Sequence, residues 1–434
     1  QPLPAGNNNP ATQAIGADVP YFDKNFKTGR TLQYTVDYQR ELPWKLVGSV
    51  GYIGHQDDRL RSNFGRLNAL PLNTLKLGFP ILNKNFNDLT AADRAYAASV
   101  GVSLPANSNA VFAGFNGSVA QALKPFPQYN RIQNYLESQG ESSYNAVQFK
   151  LDRRFAQGYQ FGLAYTMSRL ITNASEDILG GSPLSGVIQN PFDREALKTV
   201  SPTNSPRVFV ANFLTELPFG KGKRYLNNNG WVNALVGGFQ ISGIFRYQAG
   251  IPLVVSTSSD TGNGNWTDLV GYDTNLRPNL TGQDVSTVTP CVNIPPERDR
   301  RYSLNCLAFS APRDFTRPTT NDPSNAAYGA FYSNPMTFFG NAPVVITDFR
   351  SPSYFSENFN ILKKTRITET ISFEVGAEFF NIFNRTRFLQ PDGNLGRFIN
   401  GRFDNANFGQ EGVAQPVGPF GGNRVVQLRG RFIF

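Results

Sequence analysis

The 434-residue sequence predicts an all-β fold, an antiparallel transmembrane β-barrel segment with long loops on one side. Three observations carry that expectation. Apolar and polar residues alternate with period two through nine segments. Charged residues are only 17% of the chain and aromatics 13%, without the Ala/Leu/Glu/Lys bias of a helical bundle. Short and long connections alternate between the segments, the asymmetry of barrels that cross a membrane by strands.

The first strand spans about 31–39, where Leu32, Tyr34, Val36 and Tyr38 alternate with Gln33, Thr35, Asp37 and Gln39. Leu46, Val50 and Tyr52 mark a second at about 44–54. The third, about 144–154, sets Val147, Phe149 and Leu151 against Gln148, Lys150 and Asp152. After the tight turn Ala156-Gln157-Gly158, Tyr159, Phe161, Leu163, Tyr165 and Met167 face away from small and polar neighbours in a fourth, about 159–169. The fifth spans about 207–217, and Gly220-Lys221-Gly222-Lys223 reads as a flexible turn rather than a phosphate loop, lacking the following Ser/Thr and helix. The sixth spans about 235–248 and the seventh about 354–364. In the eighth, about 371–382, Ile371, Phe373, Val375, Ala377 and Phe379 oppose Ser372, Glu374, Gly376 and Glu378. The last, about 425–434, sets Val426, Leu428, Phe432 and Phe434 against Gln427, Arg429 and Arg431. Glu374, Glu378, Arg429 and Arg431 are therefore the candidate lumen-facing charges, as a structural ladder or as ligand contacts.

The long connections are expected at about 55–143, 170–206, 249–353 and 383–424, with residues 1–30 an external loop or its remnant and 31–434 the barrel segment. Asp88 to Ala98 has a helix-like composition, and Leu123 to Tyr135 is ambiguous. Tyr328, Phe331, Tyr332, Phe338 and Phe339 could stack on a sugar, pack against a protein, or close the loops over themselves. Nine strands is an odd count, so either a strand escapes the pattern or the chain is part of a larger barrel. A start without a basic, apolar leader reads as a mature, trimmed or partial chain.

No apolar run approaches 18 residues, which excludes a membrane-spanning helix. The net charge of +9 is scattered, with no basic helix or zinc-finger spacing, and does not predict a nucleic-acid partner. Cys291 and Cys306 lie fifteen residues apart in a polar stretch and predict a disulfide, so an oxidising compartment. Closing that loop is worth about 3 kcal/mol on loop-entropy grounds. The one histidine, His55, reads as a surface-loop residue without metal partners. Asp57 and Asp58 read as a solvated pair, and Asp260, Asp268 and Asp273 do not match a calcium loop. No nucleophile–base arrangement is present, so neither an enzyme, a metal site nor a cofactor is expected.

Several stretches, in their order and spacing, carry a family resemblance. They are Gln39-Arg40-Glu41-Leu42-Pro43 before Gly51 to Gly54, Ser143 to Gln148, Tyr165 to Ser168, and Glu216 to Lys223. Gly238 to Gly243, Phe338 to Pro343, Glu378 to Asn384 and the end Arg431-Phe432-Ile433-Phe434 complete the set. On these the chain resembles the C-terminal part of TonB-dependent outer-membrane receptors, the Oar-like group in particular. The resemblance implies a 22-stranded barrel around a plug, taking up a scarce ligand with energy from the TonB system. It implies a Gram-negative outer-membrane location, long loops extracellular, the C-terminus periplasmic, and ligand recognition by the loops. It makes Leu428, Phe432 and Phe434 a signal read by the barrel-assembly machinery. Before Gln33 no plug-like region is found, so coupling is assigned to a plug absent from this chain, and a second chain to completing the wall in outer-membrane lipid. The alternative is a structural or protein-interaction barrel module without transport.

Overall fold

The computed structural model describes residues 16–62, 66–134, 137–174, 189–227, 230–258, 266–272, 275–292, 301–412 and 423–434. Among these residues nine strands pair antiparallel in sequence order. They are β1 (Arg30–Leu42), β2 (Leu46–Ser62), β3 (Glu137–Ala156), β4 (Tyr159–Thr172) and β5 (Arg207–Glu216). The remainder are β6 (Phe239–Gln248), β7 (Tyr354–Arg366), β8 (Ser372–Phe380) and β9 (Val425–Ile433). A short strand, Thr199–Val200, adds to β4 off this path.

Register makes the sheet two-faced. Opposite residues share a face, so one row runs Tyr38, Val50, Phe149, Tyr165, Phe209, Tyr247, Phe355 from β1 to β7. A second runs Phe161, Phe213, Gly243, Phe359, Phe379, Val426 from β4 to β9. Rows on the other face are polar: Gln39, Ser49, Lys150, Ala164 at one side and Lys364, Glu374, Arg431 at the other. A slip of one residue on any strand would reverse its faces, so the pattern itself specifies the register. The apolar face is open, with Val36 70% and Leu428 78% exposed. In water so large an apolar surface would be a severe liability; in lipid it is the stable arrangement.

The strands at the start of the sheet outrun a bilayer. A tilted membrane strand needs about 9–11 residues. β2 has 17 and β3 has 20. His55 therefore does not enter a loop: it lies within β2, opposite Gln33 and Tyr144, its ring edge-on to that of Tyr144. Asp57 and Asp58 are likewise strand residues, bonded to Thr31 and Arg30. Polar partners on both neighbours carry the ladder past the point where apolar alternation ends.

The connections differ by side. β1–β2, β3–β4 and β7–β8 join through 43–45, 157–158 and 367–371. Residues 217–238, between β5 and β6, are longer and contain a helix, Trp231–Val236, so Leu235 and Val236 are helical rather than the start of the sixth strand. Gly237 and Gly238 then turn the chain into β6; Gly238 has φ +73, and a Cβ there would meet the Lys364 carbonyl oxygen at 2.1 Å. From the opposite end leave the four long connections, and their described residues are folded. The first holds α1 (Gly78–Leu82), α2 (Ala91–Ser99) and α3 (Val119–Leu123); the Trp231–Val236 helix is α4. The third holds α5 (Trp266–Val270) and α6 (Ala326–Tyr332). Leu70, Leu75, Leu77, Ile81 and Phe86 of the first pack with Trp266, Phe315, Tyr328, Tyr332 and Phe338 of the third in one core. Leu253, Val255, Phe309 and Ile346 of the third pack with Leu395, Phe403 and Phe408 of the fourth in another. Leu197 of the second joins through Val344 and Val345. The long connections thus form one cap over one end of the wall. Residues 16–29 belong to that end as well, Val19–Tyr21 pairing in parallel with Ile132–Asn134.

Candidate functional site

The surfaces available for chemistry are the polar face of the wall, the cap, and the rim where they meet. On the polar face the four candidate charges come together across β8 and β9. The Arg431 guanidinium donates to Glu374 at 2.7 Å, with the Lys364 ammonium 3.4 Å from the same carboxylate. Arg429 lies 3.4 Å from Glu378. Lys223 pairs with Glu216 near the same end of the face. Each carboxylate already has a cation, so the row is a neutralised ladder and not a free charge field. Strand alternation put these groups on one face, and strand pairing made them neighbours.

At the rim a cleft of about 550 Å³ opens beside β1 to β4. Arg30, Asp57, Asp58, Glu141 and Lys198 line it with both signs of charge, and Leu32 and Ile171 add an apolar side. Such a lining suits a hydrogen-bonding solute better than a highly charged one. No single sequence motif marks it, because its residues come from four strands and the second long connection.

The cap buries the aromatics that the sequence leaves open. Tyr328, Tyr332 and Phe338 have no exposed surface and Phe339 only 7%. Of the three readings for them, closure of the loops over themselves is the one the structure shows; Phe331 is partly buried against the same core. Tyr332 passes its ring over Gly78, φ +74, where a Cβ would come within 2.3 Å. Its hydroxyl donates to the Phe315 carbonyl, and that of Tyr328 to the Leu77 carbonyl. Burial pushes both phenols, and that of Tyr272, above their usual range. The cysteines form the disulfide Cys291–Cys306, with Cys306 6% exposed in the second core.

Buried charges, in the cap at Asp93 and Lys124 and in the wall strands at Glu137 of β3 and Glu357 of β7, are the feature that sequence reading missed. Asp93 is fully buried, accepts from Lys84 at 2.8 Å and closes a capping box with Thr90 at the start of α2. Burial pushes its carboxyl up, but the Lys84 ammonium and the Thr90 bonds outweigh it and hold the group below the usual carboxylate range. Thr90-Ala91-Ala92-Asp93 is a legible capping signal within the helix-like stretch. Glu137 with Arg194 and Glu357 with Arg385 carry no such signal, their partners lying far apart in sequence. Lys124, 4% exposed, donates to the Asn130 carbonyl at 3.0 Å; burial first, then Arg131, lowers its ammonium to about 8.

Asp268 pairs with Arg131, and Asp260 and Asp273 lie outside the described residues. Among the described residues no three His, Cys, Asp or Glu side chains gather as metal ligands. Leu428 and Phe432 stand on the apolar face of β9, 78% and 56% exposed, and Phe434 follows at the end, 88% exposed.

Comparison with known proteins places this geometry. A family model described as outer membrane beta barrel domain matches residues 1–427. Among solved structures, the outer membrane transporter YddB from Escherichia coli is similar over 97% of this chain and 34% of its own, at 8% identity and TM-score 0.39. The ferric-catecholate import receptor Fiu from E. coli K12 gives 95% and 28%, at 8% identity and TM-score 0.34. The FrpB iron transporter from Neisseria meningitidis gives 95% and 33%, at 9% and 0.33. The chain spans about a third of the length of these proteins. No curated protein matches it by sequence.

Proposed function

The chain belongs to the outer membrane beta barrel domain family, and from that premise we propose that it is part of the wall of a TonB-dependent, Oar-like receptor. In this reading it takes up a scarce ligand, recognises it at the extracellular cap and rim, and couples transport through a plug carried outside this stretch of sequence. The observation that carries the reading is that, among the described residues, a two-faced nine-strand wall has its long connections packed together at one end. A wall alone would need only short turns. A cap with its own cores gives a pore a selective outer surface, while the paired ladder along Glu374, Glu378, Arg429 and Arg431 gives a plug a polar bed.

The sheet also argues for further strands. Among the described residues β1 and β9 each pair on one side only. An open edge in hydrocarbon leaves backbone groups unsatisfied, at several kcal/mol each. Further strands, from the same protein or a second chain, close the wall in outer-membrane lipid. Leu428, Phe432 and Phe434 on the free edge strand are then presented to the barrel-assembly machinery. The long connections face the cell exterior, and the C-terminus faces the periplasm.

A second reading is a barrel module that binds a neighbouring protein and transports nothing. The folded cap is compatible with it, because Tyr328, Tyr332 and Phe338 are buried in the cap's own core and mark no ligand site. Intact mass and peptide mapping of every chain in the detergent-extracted native particle separates the two. A plug and about a dozen further strands accompanying this segment is the result expected of a transporter. A particle with no plug sequence overturns transport and leaves the interaction module.

A further inference from the structure

The end of the wall away from the cap carries a second apolar feature. Helix α4 is amphipathic the wrong way round for water. Trp231 and Leu235 are 75% and 62% exposed, with Ala234 exposed between them. Positions i, i+3 and i+4 share one helix face, so the outward stripe is apolar. The polar residue of the helix, Asn233, turns inward instead, its side-chain oxygen accepting the Lys221 N–H at 2.7 Å.

The helix is also pinned to a particular side of the wall. Lys363 pairs with Phe239 and Val375 and therefore stands on the apolar face. Its ammonium donates to the Ala234 carbonyl at 2.6 Å and the Leu235 carbonyl at 2.8 Å, and lies 4.5 Å from the Phe239 ring centroid. The C-terminus of α4 is thus tied to the lipid side of the sheet and not to the lumen side. Around the same end, Arg153 stacks on Tyr159 at 3.5 Å and Arg224 lies 5.3 Å over Tyr225, while Trp44 in the β1–β2 turn is 81% exposed. Cations paired with rings beside the short connections match the chemistry of a headgroup layer, where indole and phenol rings sit between tail and water.

We propose that residues 217–227 and 230–238 form a foot resting on phospholipid: α4 lies in the interfacial layer of the leaflet at the short-connection side, Trp231 and Leu235 dip toward the acyl chains, and Lys221 and Arg224 meet headgroup phosphates. The occupant follows from continuity, because the apolar stripe of α4 extends the lipid-facing surface of β6 and β7 through Lys363. The foot fixes the depth of the wall in the membrane at the end where the cap cannot. The proposal rests on the reading that the apolar face of the sheet meets lipid.

The only two cysteines are paired with each other, so one introduced thiol labels uniquely. Leu235→Cys and, separately, Trp231→Cys are labelled with a nitroxide in vesicles of phosphatidylethanolamine and phosphatidylglycerol. Power-saturation EPR then compares collision with oxygen, which partitions into the bilayer, and with a water-soluble nickel chelate. The expected result is an oxygen-to-nickel ratio at both sites several-fold above that of a label at Leu280 in the cap, and below that of a label at Ile361 on the apolar band. A ratio at 231 and 235 equal to that of Leu280 overturns the foot and leaves α4 in water. Protection from both reagents overturns it too, by showing that protein covers the helix. If the Ile361 label itself reads as aqueous, the lipid-facing reading of the wall fails first and takes the foot with it.

Discussion

The wall and the cap use apolar side chains in opposite ways. In the wall, Val36, Phe149 and Leu428 remain open, and the stabilising partner of their face is solvent of another kind, the bilayer. In the cap, Trp266, Tyr328 and Tyr332 vanish into cores built from three separate connections. The wall is therefore held by register and backbone pairing and tolerates loss of one side chain. The cap is held as a water-soluble domain is, by close packing, and does not. The contrast teaches that one chain can be marginal in one solvent at each end, and it sets different expectations for the same kind of substitution.

The largest effect belongs to the cap core. Trp266→Ala or Tyr332→Ala removes a fully buried aromatic and should cost the cap about 3–5 kcal/mol. Limited proteolysis should then cut the long connections, while the wall keeps its heat-modifiable mobility on a gel. Val36→Ala on the open face should change neither. If Trp266→Ala also melts the wall, the two regions are a single cooperative unit and the comparison fails.

Reduction of Cys291–Cys306 should come next. The bond closes a fifteen-residue loop beside the second core, worth about 3 kcal/mol. Dithiothreitol should raise protease sensitivity around Leu253 and Phe408 and leave α2 and α6 protected. Equal exposure of both cores would show that they are one unit rather than two.

The cap should also respond to alkali in a defined sense. Lys124 is lowered to about 8 when folded, against 10.5 when unfolded. Between those values the unfolded chain binds more protons, so the cap gains stability as pH rises, by up to about 3 kcal/mol near pH 10. Above pH 10 the buried tyrosines reverse the trend. Their folded pKa values are raised, so their contribution is complete below the unfolded value and is lost as pH rises through it. Cap melting followed by Trp266 fluorescence should show the rise and the fall, and Lys124→Met should abolish the rise alone.

How much of this was legible divides along the same line. Period-two alternation is a local signal, and it located all nine wall strands and put Glu374 and Arg431 on one face. It failed where the local signal is silent or shared. Trp231 to Val236 is a short apolar run that reads equally as strand or helix, and only the Gly237-Gly238 turn and the Lys363 anchor decide it. His55 looked like a loop residue because the extension of β2 is polar, and its partners Gln33 and Tyr144 become visible only once strands are paired. The cap was least legible. Tyr328 bonds Leu77 across 251 residues, and no window along the sequence contains that contact.

The smallest effect sharpens the comparison through charge. Asp93 and Lys84 in the cap, and Glu378 and Arg429 on the polar face, are both carboxylate–cation pairs. They differ in solvent: the Asp93 side chain is fully buried, whereas those of Glu378 and Arg429 are 28% and 47% exposed. A buried carboxylate that loses its cation keeps its desolvation cost, so double-mutant cycles with Asp93→Asn and Lys84→Met should give a coupling of about 2–3 kcal/mol. The cycle with Glu378→Gln and Arg429→Gln should give only about 0.5 kcal/mol, falling further in salt, because a wet lumen screens what the cap cannot. A coupling in the wall as large as that in the cap would mean the polar face is dry, and the lumen reading of that face would have to be given up.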